Sequence, residues 1–132
     1  MIYRGSCHCG AVEYEVTGPL RSIVGCHCNQ CRKFTGHFVA AAQSALSDFT
    51  LTNESGLKWY ISSPGHRRGF CGTCGSSLFW HEGGTDHISI MAGTLDGATG
   101  LKMERHIHVA AKGDYYDLPE GEVIEQSALK FR

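Results

Sequence analysis

The sequence predicts a mostly β protein of antiparallel strands, joined by tight turns and held together at clusters of cysteines. Its 132 residues include 17 glycines and only 3 prolines. The glycines separate short segments in which apolar and polar residues alternate, as in half-buried strands. All seven cysteines lie in three groups with the close spacing of metal ligands. Because the chain has no internal repeat and a length suited to one core, residues 1–132 are expected to form a single domain.

The first part of the chain is expected to form a hairpin, followed by a strand and a short helix. Within the hairpin at residues 2–17, residues 11–16 alternate apolar and polar side chains. Asn29 is a suitable N-cap for the helix, and Gly36 can end the helix in the left-handed conformation. Another turn or helical piece is predicted at residues 44–48. Only these two short segments are expected to be helical.

Short apolar or alternating segments between turn residues predict the remaining strands. They cover residues 21–26, 38–43, 49–52, 57–61, 77–80, 87–92 and 104–109. Large aromatic side chains in or beside these segments are expected in the core, namely Trp59, Phe70, Phe79 and Trp80.

Four of the cysteines form two pairs that are far apart in the sequence. Cys7 and Cys9 lie two residues apart, so an extended backbone would point both sulfurs to the same face. Cys71 and Cys74 lie in a C-x2-C-G segment that resembles a zinc knuckle. Because each pair offers two ligands and a closed zinc site takes four, we expect the pairs to share one structural zinc. The alternative is that they are free buried thiols.

The other three cysteines, Cys26, Cys28 and Cys31, are referred to below as the trio. A strand that leads into a helix would hold Cys26 and Cys28 in extended backbone and would place Cys31 one helical turn further along the chain. The three sulfurs would then converge on one point. Three protein ligands leave one coordination position open, which is typical of a catalytic zinc. A disulfide-forming redox pair is the weaker reading, because the βαβ pattern of thioredoxin-like proteins is absent. Another alternative is a second structural zinc with a histidine as fourth ligand, the candidates being His27, His37 and His66.

Several charged or titratable residues near the cysteines are candidates for substrate handling. His106 and His108 are expected to share a face of one strand. They could be a pair of metal ligands, part of a solvated polar face, or part of the wall of a substrate site. His27, or another nearby histidine, is a candidate proton carrier. Four basic residues beside the cysteines are either ordinary surface charge or a cationic rim that attracts an acidic thiol and keeps thiolates ionised. These four are Arg32, Lys33, Arg67 and Arg68.

Charge and hydropathy argue against several classes of partner. The formal net charge is -1 and there is no run of like charges, so neither nucleic acid nor an anionic membrane is an expected partner. No apolar segment approaches the ~20 residues that span a bilayer. The odd number of cysteines and the absence of an apolar segment at the start of the sequence favour a reduced protein of the cytoplasm.

With these motifs in view, the chain resembles the glutathione-dependent formaldehyde-activating enzyme family, also called the centromere-protein-V/GFA domain. It differs at Tyr116, where a tryptophan is common. The matching segments are residues 5–10, residues 26–33 with Gly36, residues 70–75, and residues 106–109 with 115–116.

The resemblance implies an Mss4-like β-tent of antiparallel sheets with short helical pieces, stapled by zinc. It further implies two Zn2+ per chain, one structural and one catalytic. The implied activity is that of a carbon–sulfur lyase on the aldehyde adduct of glutathione or a similar small thiol, like S-hydroxymethylglutathione synthase. A non-catalytic zinc-binding module or a glutathione carrier is the alternative. The implied ligands are Cys7, Cys9, Cys71 and Cys74 for the structural zinc, and Cys26, Cys28 and Cys31 for the catalytic one.

Overall fold

Two β-sheets, one of three strands and one of eight, are the main elements of the protein in the computed structural model, which describes residues 2–120 and 123–124. One α-helix, α1 (Asn29–Thr35), lies among them, with 3-10 turns at Leu46–Asp48, Ala92–Thr94 and Val109–Ala111. The strands are β1 (Tyr3–Ser6), β2 (Glu13–Val16), β3 (Arg21–Cys26), β4 (Val39–Ala45), β5 (Phe49–Asn53), β6 (Leu57–Ser63), β7 (His66–Cys71), β8 (Ser77–Glu82), β9 (His87–Met91), β10 (Met103–Ile107) and β11 (Val123–Ile124).

The expectation of a mostly β fold with antiparallel sheets is confirmed, with one local exception. The small sheet has the order β1-β2-β5, and the large sheet has the order β11-β10-β3-β4-β9-β8-β7-β6. All neighbours pair antiparallel except β10, which runs parallel to both β3 and β11. Alternation of apolar and polar residues predicts that a segment is a strand, but it does not say which strand lies beside it.

The short helix begins one residue earlier than its sequence suggested. Its N-cap is Cys28, not Asn29, and the Cys28 sulfur accepts a hydrogen bond from the backbone N–H of Cys31 at 3.3 Å. A cysteine sulfur thus takes the capping role that we predicted for the amide side chain of Asn29. The helix ends as predicted at Gly36, which has a φ of 78°. The described residues contain no helix long and apolar enough to cross a membrane.

The main core lies between the two sheets. Tyr14 of β2 is at its centre, with its ring 5.3 Å from that of Phe79 in an edge-on arrangement and its hydroxyl 2.7 Å from the Thr94 hydroxyl. Such an aromatic pair adds about 1 kcal/mol beyond simple burial. The core also contains Val12, Val16, Ile23, Ala42, Leu78, Ile88 and Ile90. The cysteines Cys7 and Cys71 pack against the same core.

The large sheet separates this core from a second, smaller cluster. On β4, Ala42 contacts the main core, whereas Val39 and Ala41 belong to the second cluster together with Cys28 and Cys31. Neighbouring residues of a strand point to opposite faces of a sheet, so one strand serves both clusters. The trio therefore lies on the face of the sheet that the core does not use.

Gly5 of β1 offers a test of how closely the small sheet packs against the 3-10 turn at Ala92–Thr94. A Cβ atom there would lie 2.3 Å from the Tyr14 ring and 2.5 Å from the backbone oxygen of Thr94. We expect Gly5→Ala to destabilise the fold by about 2 kcal/mol or more, as overpacking does. The matched control is Gly93→Ala, because nothing lies within 4 Å of a Cβ at that position. Urea unfolding midpoints of both variants check this, and equal midpoints would contradict the packing described.

Candidate metal centres and active site

Four cysteine sulfurs from two distant segments meet at one end of the main core. The Cys9 sulfur is 3.7 Å from that of Cys7 and 3.7 Å from that of Cys71. Together with Cys74, all of these sulfurs lie within 4.8 Å of one another. Sulfurs bound at about 2.3 Å to a tetrahedral zinc are about 3.8 Å apart. The spacing of the four thiols therefore fits a closed zinc site.

Backbone N–H groups point at the sulfurs of this group. The Cys7 sulfur accepts a hydrogen bond from Val12 N at 3.3 Å, and the Cys71 sulfur accepts bonds from Thr73 N and Cys74 N at 3.4 Å each. Hydrogen bonds to the charged form of a group favour that form. The donors thus suit thiolates, the form of cysteine that binds zinc.

The backbone at Cys7 and Cys9 differs from the extended conformation that the sequence suggested. Strand β1 ends at Ser6, and the chain turns at residues 8 and 9. The turn, and not strand periodicity, brings the two sulfurs together. The Ser76 hydroxyl also lies 3.2 Å from the Cys74 sulfur. Hydrogen bonding by Ser76, with a further backbone bond from Cys9, lowers the pKa of Cys74 to about 5.

The three sulfurs of the trio converge as predicted, also within 4.8 Å of one another. Cys26 is the last residue of β3, Cys28 is the N-cap of α1 in extended backbone, and Cys31 lies in the first turn of that helix. No histidine, aspartate or glutamate in residues 2–120 or 123–124 joins the group. Within this part of the chain, the trio has three ligands and no fourth.

Hydrogen bonds within the trio favour a thiolate on Cys28. Hydrogen bonds from the Cys26 thiol, and then from Cys31, lower the pKa of Cys28 to about 2, and the charge of Arg68 acts in the same direction. The pKa of Cys26 is raised, chiefly because its thiol is hydrogen-bonded to Cys28. The three thiols therefore titrate together, and Cys28 is the sulfur on which a thiolate is most favoured.

A buried arginine lies beside the trio. Arg68 is 3% exposed, and its Nη2 donates to the Cys31 sulfur at 3.4 Å and to Gln30 Oε1 at 2.8 Å. Its guanidinium also lies 4.7 Å from the centre of the Phe34 ring. No carboxylate of the described residues pairs with it. An uncompensated buried cation is costly, and the charge of Arg68 in turn favours a thiolate on Cys28.

A cavity of about 200 Å³ opens from the trio across the free face of the large sheet. Arg68, Trp80 and His108 line it together with the trio, and apolar residues such as Ala41 and Met91 form its middle. Farther along the sheet it is lined by Arg21, Gln43 and Ser89. The cavity thus has a sulfur-rich end, an apolar middle and a polar end.

His27, the expected proton carrier, does not line this cavity. It is fully buried, with Nδ1 2.6 Å from the Tyr116 hydroxyl and Nε2 2.8 Å from His106 Nδ1. Burial, together with the charges of His106, Lys112 and His37, lowers the pKa of His27 to about 4. His27 is therefore neutral at pH 7 and belongs to a buried network behind the trio.

His106 and His108 do not share a face, contrary to the sequence analysis. Strand β10 ends at Ile107, and His108 has a φ of 54°, the one positive φ among the non-glycine residues that the structure describes. His106 therefore faces the buried network, whereas His108 lines the cavity. Strained backbone of this kind occurs often at functional sites. Among the described residues, the buried Nδ1 of His108 has no hydrogen-bond partner.

The predicted cationic rim is mostly not at the cavity. Of its four residues only Arg68 lines it, while Arg32 donates to the Ala111 carbonyl at 3.2 Å and Arg67 stacks 3.9 Å from the Trp59 ring centre. Sequence reasoning missed Arg21. The sequence signal that could have indicated Arg21 as a cavity residue was its position at the start of β3, the strand that ends at Cys26.

Comparison with known proteins finds relatives that align with most of this chain. A protein of Schizosaccharomyces pombe named as an uncharacterized lyase is 27% identical over 116 residues, which cover 87% of this chain and 84% of that protein. A Halomonas elongata protein, provisionally named a glutathione-dependent formaldehyde-activating enzyme, is 29% identical over 137 residues, with 92% and 84% coverage.

A solved structure and a family model extend the comparison. The crystal structure of a Rhodobacter sphaeroides protein has a TM-score of 0.58 and 25% identity, and the match covers 92% of this chain and 98% of that one. The family model described as glutathione-dependent formaldehyde-activating enzyme matches residues 2–111. The resemblance found in the sequence motifs is thereby confirmed: the chain belongs to the glutathione-dependent formaldehyde-activating enzyme family.

Proposed function

We propose that the protein is a zinc-dependent carbon–sulfur lyase that acts on the aldehyde adduct of glutathione or a similar small thiol. The observation that carries this proposal is the trio, where three sulfurs converge on one side of a cavity without a fourth protein ligand. Three protein ligands and an open position are the pattern of catalytic zinc. The family and the lyase-named relative support the same class of reaction.

The residues around the trio fit a zinc ion with thiolate ligands. Three thiolates and one divalent cation leave a single net negative charge, which the buried guanidinium of Arg68 matches. When bound there, zinc supplies Lewis acidity and lowers the pKa of a thiol or water at its open position. The hydrogen bond from Arg68 to Cys31 holds that ligand in place.

The reaction requires one proton to be moved. When an S-hydroxymethyl thiol is cleaved, the carbon–sulfur bond breaks, its electron pair stays on sulfur, and the hydroxyl loses its proton as the carbonyl forms. We assign the proton transfer to His108, because it lines the cavity and its Nδ1 lacks a partner among the described residues. A neutral imidazole nitrogen accepts such a proton and returns it in the reverse direction.

The second cysteine group acts as a structural site in this proposal. It joins the turn after β1 to the knuckle after β7, so a zinc there would cross-link segments about 60 residues apart, as the sequence separation of Cys9 and Cys71 shows. All seven thiols are free of disulfides. We therefore place the protein in the reducing cytoplasm.

Cys71→Ser tests the structural site. The loss of one ligand from a metal that links distant segments is expected to lower the thermal midpoint by about 10 °C or more. The measurements are differential scanning calorimetry and zinc content per chain. Normal stability with an unchanged zinc content would contradict a structural role for this group.

Cys28→Ser tests the catalytic site and separates an enzyme from a carrier. This variant is expected to stay folded, to lose about one zinc per chain and to lose adduct cleavage almost entirely. Cleavage is followed at trace enzyme concentration with adduct in large excess, because a carrier binds at most a stoichiometric amount and does not accelerate the reaction. A fully active Cys28→Ser protein, or wild type that shows no turnover, would rule out the lyase.

His108→Asn tests the proton-transfer role. Asparagine tolerates the positive φ of this position but cannot take up the proton. We expect kcat to fall by about 10²-fold, the lower end of general acid–base contributions, with KM little changed. The matched control is His87→Asn, a partly exposed histidine beside Asp86 that does not line the cavity. A loss of kcat in both variants would argue against a specific role for His108.

A further inference from the structure

We propose that Tyr116 is a positioning residue for the zinc at the trio and that it acts through His27. The Tyr116 hydroxyl lies 2.6 Å from His27 Nδ1, and His27 lies between Cys26 and Cys28 in the sequence. The inference rests on the proposed function, because it requires a zinc at the trio. It goes beyond that function by giving a role to a tyrosine outside the cysteine motifs, at the position where this chain differs from the family pattern.

The contacts of the His27 ring leave it a single orientation. The side chain is fully buried. Its Nε2 lies 2.8 Å from His106 Nδ1, and its ring stacks on Phe38 with 4.6 Å between the ring centres and 30° between the planes. The Tyr116 hydroxyl is the partner of the other ring nitrogen. Two partnered nitrogens and a covered face together prevent the ring from turning.

The orientation of this ring is coupled to the backbone that carries two of the sulfurs. The backbone N–H of His27 donates to the Ile107 carbonyl at 3.1 Å, at the end of the parallel pair of β3 and β10. Cys26 is the last residue of β3, and Cys28 is the N-cap of α1. Because both the main chain and the side chain of the residue between them are fixed, these two cysteines have little freedom left. The contacts of His27 therefore set how their sulfurs face each other.

Tyr116 is itself held in place by the segment that precedes it. Lys112 Nζ donates to the Tyr116 carbonyl and lies 4.6 Å from the centre of its ring, as in a cation–π contact. Arg32 of α1 donates to the Ala111 carbonyl at 3.2 Å, so the same segment is bound to the helix that carries Cys31. A hydroxyl anchored in this way can orient a neighbouring ring, which a freely moving side chain could not do.

The hydrogen bond between Tyr116 and His27 can be made in two ways. A neutral imidazole has one donor and one acceptor nitrogen. In one arrangement the hydroxyl donates to Nδ1 and Nε2–H donates to His106, and in the other both bonds run in the reverse direction. In both, the hydroxyl is the one partner that the described residues offer to Nδ1. Its removal would leave a buried polar atom unpaired, which destabilises the observed orientation of the ring.

Tyr116→Phe tests the inference, because it removes the hydroxyl and keeps the ring. Competition with a chromogenic chelator at equilibrium measures the zinc affinity of each site, and the site that is missing in Cys28→Ser is the trio. We expect the zinc affinity of the trio to fall about tenfold, the lower end of the range for groups that orient metal ligands. The affinity of the closed group of four cysteines should stay the same, whereas a general loss of stability would lower both.

Cobalt(II) in place of zinc gives a second measurement, because its d–d absorption bands depend on ligand geometry. The difference spectrum between each protein and its Cys28→Ser counterpart isolates the cobalt at the trio, and these bands should shift in Tyr116→Phe. Tyr115→Phe is the matched control, since the Tyr115 hydroxyl makes the same kind of contact with His37 Nδ1, at 2.9 Å on the exposed surface. This control should keep both the zinc affinity and the cobalt spectrum of the wild type.

The outcomes separate this inference from the proposed function. An unchanged zinc affinity at the trio in Tyr116→Phe, an unchanged cobalt spectrum, or an equal loss of zinc from both sites would each overturn the role of Tyr116 while leaving an active lyase in place. Wild-type protein that holds no zinc at the trio would refute both. If the zinc and cobalt measurements give the expected result and the wild type cleaves no adduct, the lyase is disproved and the role of Tyr116 stands.

Discussion

The structure depends on compensating the charge of seven thiols that are gathered into two groups. Neighbouring sulfurs only 3.7 Å apart repel each other once ionised, so each group needs a cation and hydrogen-bond donors. The first group receives backbone N–H groups from the turns around Cys7 and Cys71. The trio receives the N-terminus of α1 and the guanidinium of Arg68. The two environments differ in kind, since the first group offers four sulfurs surrounded by backbone N–H donors, whereas a cavity opens beside the second.

The large sheet explains how one small protein keeps these two environments apart. Ala42 and Ile90 point into the core where Tyr14 and Phe79 pack, while Ala41 and Met91 on the same strands face the cavity. Burial of apolar side chains on the core side of the sheet thus supplies most of the stabilisation of the fold. The opposite side of the sheet is therefore available for polar and charged groups such as Arg21. Most residues of the site lie on strands or on the first turn of a helix, which position them more rigidly than loops do, whereas His108 lies just after the end of β10.

Sequence reasoning was most successful where the signal is local. Cysteine spacing predicted both sulfur groups, and alternation predicted most of the strands, because ligand spacing and strand period are properties of neighbouring residues. It failed for Asn29, since the residue that caps α1 is a metal-ligand candidate, and for His108, since no local signal shows that β10 ends one residue before it. Arg21 was missed because its partners Gln43 and Ser89 come from β4 and β9. Such neighbours depend on strand order, which a single sequence does not contain.

The buried network behind the trio shows how strand packing determines ligand geometry. A Cβ at Gly25 would lie 2.6 Å from His106 Nδ1, so glycine is required for the parallel strand β10 to bring His106 against β3. His106 in turn contacts His27, whose other nitrogen contacts the Tyr116 hydroxyl. His27 lies between Cys26 and Cys28 in the sequence, so holding its ring from both sides fixes the backbone that carries these two sulfurs. The absence of a side chain at Gly25 is therefore part of the reason that the trio converges.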